Sequence, residues 1–153
     1  MLAKEIMKTE VITLSPEATI SEIARLMVEN DISGLPVVDG ENRLLGVVSE
    51  MDLMYKDVKL DEPSVWDLCL WSALGSQEIY EYKDSFRKFR AQTAAEIMNS
   101  PAITVDENDD VSKVGNLMFA RRIKRVFVTR NEKLAGVISR SAFVKMLLEG
   151  ESE

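Results

Sequence analysis

The chain of 153 residues contains no histidine and a single cysteine, Cys69. Without histidine there is no Ser-His-Asp or Cys-His nucleophile, no imidazole general base and no histidine-bearing zinc site. One thiol closes no internal disulfide and builds no multi-cysteine metal site, and an unpaired thiol fits a reducing, cytoplasmic setting. Positive charge is in the minority. Lys and Arg number 19 against 26 Asp and Glu, a net charge of −7. This balance argues against sequence-independent nucleic-acid binding and against a polybasic membrane patch, both of which need a basic surface. No apolar run approaches the roughly 20 residues of a membrane helix, and Met1-Leu2-Ala3-Lys4-Glu5 leads into no apolar signal core. Carboxylate, lysine or Cys69 catalysis finds no convergent pair, so the expectation is a protein that is not an enzyme.

The chain does contain an internal repeat. Ala3-Lys-Glu-Ile-Met7 recurs as Ala94-Ala-Glu-Ile-Met98. At an offset of 91, 11 of the 35 positions from Ala3 to Val37 are identical, where chance gives about two. One deletion later the offset is 90, and Gly46-Val47-Val48-Ser49 meets Gly136-Val137-Ile138-Ser139.

Each copy reads as strand, helix, strand, strand, helix. Val11–Leu14 and Ala102–Val105 are short β-rich runs. Thr19-Ile-Ser-Glu22 is a capping box that opens a helix, and Asp110 is its N-cap counterpart. Ile20, Ile23, Ala24 and Met27 make one apolar helix face, repeated by Val111, Val114, Gly115 and Met118. Leu35–Val38 and Leu44–Val48 form a hairpin around Asp39-Gly40-Glu41-Asn42, matched by Val126–Thr129 and Leu134–Ile138. Ser49 and Ser139 then open second helices.

The repeat divides the chain into residues 1–56, a connector at 57–91, and residues 92–153. The connector is too long for a structureless loop. Trp66, Leu68, Leu70, Trp71 and Leu74 predict a partly buried helix after Pro63, stopped by Gly75. Ile79–Phe89 is a candidate second helix. A packed connector is the plain reading, and a partner-docking or ligand-sensing insertion the sharper one. Trp66 and Trp71 are expected in the core or an interface, and Cys69 as a buried thiol.

Two tandem units of this order resemble the CBS-domain family, named after cystathionine β-synthase. The resemblance rests on Ile6-Met7 and Ile97-Met98, on Thr13 with the Thr19-Ile20 helix start, and on Gly34-Leu35-Pro36-Val37-Val38-Asp39. It rests equally on Gly46-Val47-Val48-Ser49-Glu50-Met51-Asp52-Leu53. It implies an α+β fold in which two β-α-β-β-α units pack with pseudo-twofold symmetry around a helical insertion. It further implies clefts between the units that take an adenine nucleotide (AMP, ADP, ATP or S-adenosylmethionine) as a regulatory ligand, with no required cofactor. A regulatory role toward an effector protein and a homodimer follow from the same resemblance.

An adenine ring needs an apolar slot with a few polar groups at its edge. Ile12, Thr13, Ile32, Ser33, Gly34, Leu35 and Pro36 are the candidate slot. Ser49 and Asp52 stand one helical turn apart, and the family resemblance gives Asp52 the ribose hydroxyls. The same spacing is also a capping box, with Asp52 reaching back to the Ser49 amide. In the second copy Ala142 stands where the aspartate belongs, and Phe127 replaces the hairpin proline. Asn30-Asp31-Ile32-Ser33-Gly34 becomes Arg121-Arg122-Ile123-Lys124-Arg125. The resemblance therefore assigns phosphate contact to Arg125 with Lys124 or Arg122, since a guanidinium is a permanently charged fork for phosphate. The competing reading of these cations is a solvated helix end that complements the dipole. The alternative function is a dimerisation or protein-interaction module whose clefts have degenerated.

Overall fold

The computed structural model describes residues 1–57, 63–75 and 77–150. The first unit has helix α1 (Ala3–Ile6), helix α2 (Ile20–Asn30), strands β1 (Gly34–Val38) and β2 (Leu44–Ser49), and helix α3 (Glu50–Met54). The insertion is a pair of helices, α4 (Val65–Leu74) and α5 (Gln77–Arg90). The second unit has α6 (Ala94–Ile97), β3 (Thr104–Asp106), α7 (Val111–Ala120), β4 (Arg125–Arg130), β5 (Lys133–Ser139) and α8 (Arg140–Gly150). The helix, strand, strand, helix part of the order read from the sequence is present twice, and the leading strand forms only in the second unit.

Local signals account for the element ends. The Thr19 hydroxyl accepts from the Glu22 amide at 3.2 Å, and the Glu22 carboxylate accepts from the Thr19 amide at 2.7 Å, a complete capping box. The Asp110 carboxylate caps α7 by accepting from Ser112 N–H at 2.8 Å. The turn between β1 and β2 is tied by Asp39, which accepts from the amides of Glu41 and Arg43 at 2.9 Å each. Asn42 takes the left-handed conformation there, as Asn131 and Glu132 do in the second hairpin.

Strands β1 and β2 pair antiparallel, as do β4 and β5, and β3 pairs parallel with β4. The first strand predicted at Val11–Leu14 is reduced to one parallel bridge, Leu14 to Val37. Its partner in the second unit is a three-residue strand.

The leading segment of each copy belongs to the other copy's core. Ala94 and Ile97 are fully buried with Leu14, Ile23, Leu35, Val37 and Val48 of the first unit. Ala3 is fully buried with Val114, Val126, Val128 and Ile138 of the second, and Ile6 and Met7 pack on that cluster. Backbone bonds fix the exchange: Lys8 pairs antiparallel with Val137, and Asn99 with Val47. Two glycines permit it. A Cβ at Gly46 would lie 2.7 Å from both Asn99 O and Met98 Sδ, and one at Gly136 would lie 2.7 Å from Met7 Sδ and 2.9 Å from Lys8 O. The repeated Gly-Val-x-Ser and Ala-x-Glu-Ile-Met motifs are thus two sides of one contact.

The insertion departs from expectation in its burial. α4 forms where predicted, N-capped by Ser64 and ended by Gly75 in the left-handed conformation. Its apolar side chains are not packed away, however. Trp66 is 85% exposed, and Leu68, Leu70 and Cys69 are exposed as well. The buried thiol expected at Cys69 and a core position for Trp66 are corrected here, whereas Trp71 is half-buried against Tyr82. The segment is mostly apolar with no single apolar face, and its contact with α5 leaves much of that surface bare. Among the described residues no helix is long and apolar enough to cross a membrane.

Candidate functional site

A cavity of about 1140 Å³ lies between the units. The first unit contributes Ile12, the turn Ile32-Ser33-Gly34 at the start of β1, and Pro36. The second contributes Arg125 and Phe127 from β4, Val137 and Ser139 from β5, and Ala142 from α8. Each copy therefore contributes both hairpin residues and a helix start, with Glu50 and Leu53 of α3 joining the lining from the first unit. Apolar side chains form the slot. Hydroxyls and charges stand at its edge, with Ser33, Ser139, Ser141, Glu50 and Lys145 among them.

Arg125 crosses the gap. Its guanidinium donates to Gly34 O at 2.9 Å and to the Ser33 hydroxyl, so a side chain of β4 closes onto the first unit. Burial pushes this guanidinium below its ordinary value, and the nearby Glu50 carboxylate pulls it back. The group stays cationic, and partial burial strengthens its attraction for an anion.

Asp52 is elsewhere. Its side chain is almost completely buried and does not line the cavity. One carboxylate oxygen accepts from the Ser49 amide at 2.7 Å and from the Ser49 hydroxyl at 3.0 Å. The other accepts from Lys88 Nζ at 2.6 Å, and Asn99 Nδ2 bridges both oxygens at 3.1 and 3.0 Å. The capping geometry is realised, and the remaining lone pairs are filled by α5 and by the segment leading into the second unit. The expected partnership of Asp52 with Arg125 around one ligand is corrected accordingly. At the repeat position of Asp52 the second unit has Ala142, and it is Ala142 that lines the cavity.

Of the residues singled out from the sequence, Ile12, Ile32, Ser33, Gly34, Pro36 and Arg125 line the cavity. Thr13, Leu35, Ser49, Asp52, Arg122 and Lys124 do not. Leu35 is fully buried in the first core, Thr13 and Lys124 face solvent, and Arg122 lines a separate groove on the second unit. Lys88 and Asn99 were missed. Lys88 carried a signal: Ile79, Tyr82, Ser85 and Lys88 recur every three residues and form the inward stripe of α5. A lysine on such a stripe needs a buried anion.

The CBS domain family matches residues 3–59 and 94–149, and the chain belongs to that family. Among curated relatives, the uncharacterized protein MJ1426 of Methanocaldococcus jannaschii is 26% identical over 97% of this chain and 92% of its own length. The chloroplastic CBS domain-containing protein CBSX2 of Arabidopsis thaliana is 24% identical over 92% of this chain. The chain spans 60% of CBSX2 and 22% of the inosine-5'-monophosphate dehydrogenase of M. jannaschii. Among solved structures, CBSX2 in complex with AMP aligns with a TM-score of 0.80 at 21% identity, covering 97% of each chain. The CBS domain pair of protein MJ0100, in complex with 5'-methylthioadenosine and S-adenosyl-L-methionine, aligns with a TM-score of 0.66 at 22% identity, covering 99% and 98%. These likenesses establish the fold: a tandem CBS pair.

Proposed function

We propose that the chain is a non-catalytic regulatory module that binds an adenine nucleotide in the cleft between its two units and signals to an effector protein as a cytoplasmic homodimer. The observation that carries this reading is the apolar slot of Ile12, Ile32, Pro36 and Phe127, closed at one end by the guanidinium of Arg125. A purine ring fits the slot, and a phosphate fits the guanidinium, which exchanges its bonds to Gly34 O and Ser33 for charge-assisted bonds to the ligand. Relatives of the same fold crystallised with AMP and with S-adenosylmethionine support an adenosine compound.

Isothermal titration with AMP, ADP, ATP and S-adenosylmethionine tests it. The expected result is saturable heat with one of them. Arg125→Ala should weaken a phosphorylated ligand by about 1.5–3 kcal/mol, the worth of a hydrogen bond to a charged group, and adenosine by less. No heat and no thermal shift with all four compounds overturns the reading. One observation favours the alternative, an interaction module with degenerate clefts. Ala142 offers the open cavity no carboxylate, and the equivalent carboxylate of Asp52 is covered by Lys88. Protein that binds none of the compounds but still self-associates supports it.

A further inference from the structure

Lys8, Ser139, Ala142, Lys145 and Met146 line the open cavity. At the offsets of the repeat, 91 and then 90, their counterparts are Asn99, Ser49, Asp52, Tyr55 and Lys56. These five residues also come together, but around the end of α5. Asp52 accepts from the Lys88 ammonium at 2.6 Å, and Asn99 and Ser49 complete the shell of its carboxylate. The Tyr55 ring lies under the same ammonium, which is 5.4 Å from the ring centroid. Lys56 Nζ donates to Phe89 O and Ala91 O, just past Lys88 in the chain. One set of repeat positions therefore borders an open space, and the other set encloses a lysine that is only 6% exposed.

We propose that the end of α5 is an internal ligand: the Lys88 ammonium occupies a pocket for a primary alkylammonium built by Asp52, Asn99 and Tyr55, and by filling it closes the counterpart of the open cavity. The occupant is detachable. Asp84, one turn earlier on α5, also reaches Lys88 Nζ at 3.4 Å, so the lysine keeps a countercharge on its own helix when it leaves. A tethered occupant competes at high effective concentration, so a free ligand enters only when α5 is loosened. Displacing α5 also frees α4, which meets it through Trp71 and Tyr82. The chain thus offers one free site and couples a second to release of the insertion. This inference rests on the reading of the open cavity as a nucleotide site.

The test counts bound ligand on the full chain, by equilibrium dialysis against AMP, ADP, ATP and S-adenosylmethionine in turn. The wild type is expected to bind one equivalent of the compound it prefers, and Lys88→Ala two. The group that Lys88→Ala removes is then supplied as n-propylammonium chloride. It should expel the second equivalent from that variant and leave the first. It should also raise the variant's melting temperature saturably, as a ligand of the folded state does, so a poorly folded Lys88→Ala still gives an answer. The wild type, whose pocket is filled, and Lys88→Ala/Asp52→Asn, which lacks the carboxylate, should show no such rise. If the wild type binds one equivalent, then one equivalent on Lys88→Ala, or no response of that variant to n-propylammonium, overturns the inference and leaves the open cavity as a nucleotide site. Two equivalents on the wild type overturn it as well. A wild type that binds nothing beside a Lys88→Ala that binds one equivalent overturns the reading of the open cavity alone. No binding of any compound to either protein overturns both.

Discussion

Asp52 and Lys88 are the most deeply buried charged residues described, and each is the other's closest countercharge at 2.6 Å. A buried ion pair of this kind contributes little over an apolar pair of the same volume, but removing one member strands the other. Lys88→Met is therefore expected to cost about 3–5 kcal/mol in urea unfolding, while adding Asp52→Asn to it should recover a large part of that loss. The readout can be made local, because the two tryptophans of the chain, Trp66 and Trp71, both lie in α4. α4 meets α5 through Trp71, whose ring lies 6.1 Å from that of Tyr82. A shift in tryptophan emission in Lys88→Met, ahead of global unfolding, would show α5 loosening from its anchor. If the single variant is as stable as the wild type, Lys88 does not hold the insertion. The anchor also includes bonds from Lys56 Nζ to Phe89 O and Ala91 O at 2.7 and 2.5 Å, and from the Arg87 guanidinium to Glu96 O and Met98 O at 2.5 and 3.2 Å.

The α3 helix links these features to the cleft. Glu50 and Leu53 turn toward the cavity, and Asp52 turns toward α5. On either hairpin, a glycine seats the leading segment of the other copy. Gly46→Ala places a methyl 2.7 Å from a backbone oxygen that is itself paired with Val47, so the strand must shift. The expected loss is about 1–3 kcal/mol, the usual cost of overpacking, and Gly136→Ala should behave alike. Chemical denaturation of both variants checks this, and a neutral result at either would mean that the segment slides without penalty. Much of this level was legible in the sequence. The repeat, its helices, its hairpins and its caps depend on local periodicity and turn chemistry. Which unit each Ala-x-Glu-Ile-Met segment packs against was not legible, because both copies share the same apolar spacing and either core accepts them. The cavity was half legible for the same reason: Ile12, Ser33 and Pro36, read as an apolar slot, and Arg125, placed by the family resemblance, all line it. Asp52 was read as a cavity residue, whereas its carboxylate is taken up by Ser49, Lys88 and Asn99, the last two supplied by elements far away in sequence. Periodicity proposed α4 but could not bury it, since an apolar helix needs a partner surface that no local pattern supplies.

At the scale of the whole molecule, charge and exchange govern stability. Hydrogen bonds to Ser64, Arg130, Lys113 and Ser112 hold the carboxyls of Asp67, Glu107, Asp109 and Asp110 below their ordinary values, and the Arg43 amide does the same for Asp39. A carboxyl whose value is lowered on folding stabilises the native state above its unfolded pKa, about 4, and that stability is lost as pH falls through the folded value. The melting temperature should be nearly flat from about pH 7 to 5.5 and fall below about pH 4; a maximum below pH 4 would contradict this. The exchange of leading segments makes a sharper prediction. Ile97 follows the insertion yet is fully buried in the first unit's core, and Ile6 opens the chain yet packs on the second. Ile97→Ala should cost about 2–5 kcal/mol as a core cavity, and Ile6→Ala less, because that residue is only partly buried. In native-state hydrogen exchange, Ile97→Ala should raise opening first in β1 and β2, and Ile6→Ala first in β4 and β5, each at the unit remote in sequence. Two cores that each contain a piece of the other copy cannot open far independently, so equilibrium unfolding should remain one transition in both variants. Loosening confined to the unit adjacent in sequence would mean that each copy closes its own core, and the exchange would not be what joins the two units around the cavity.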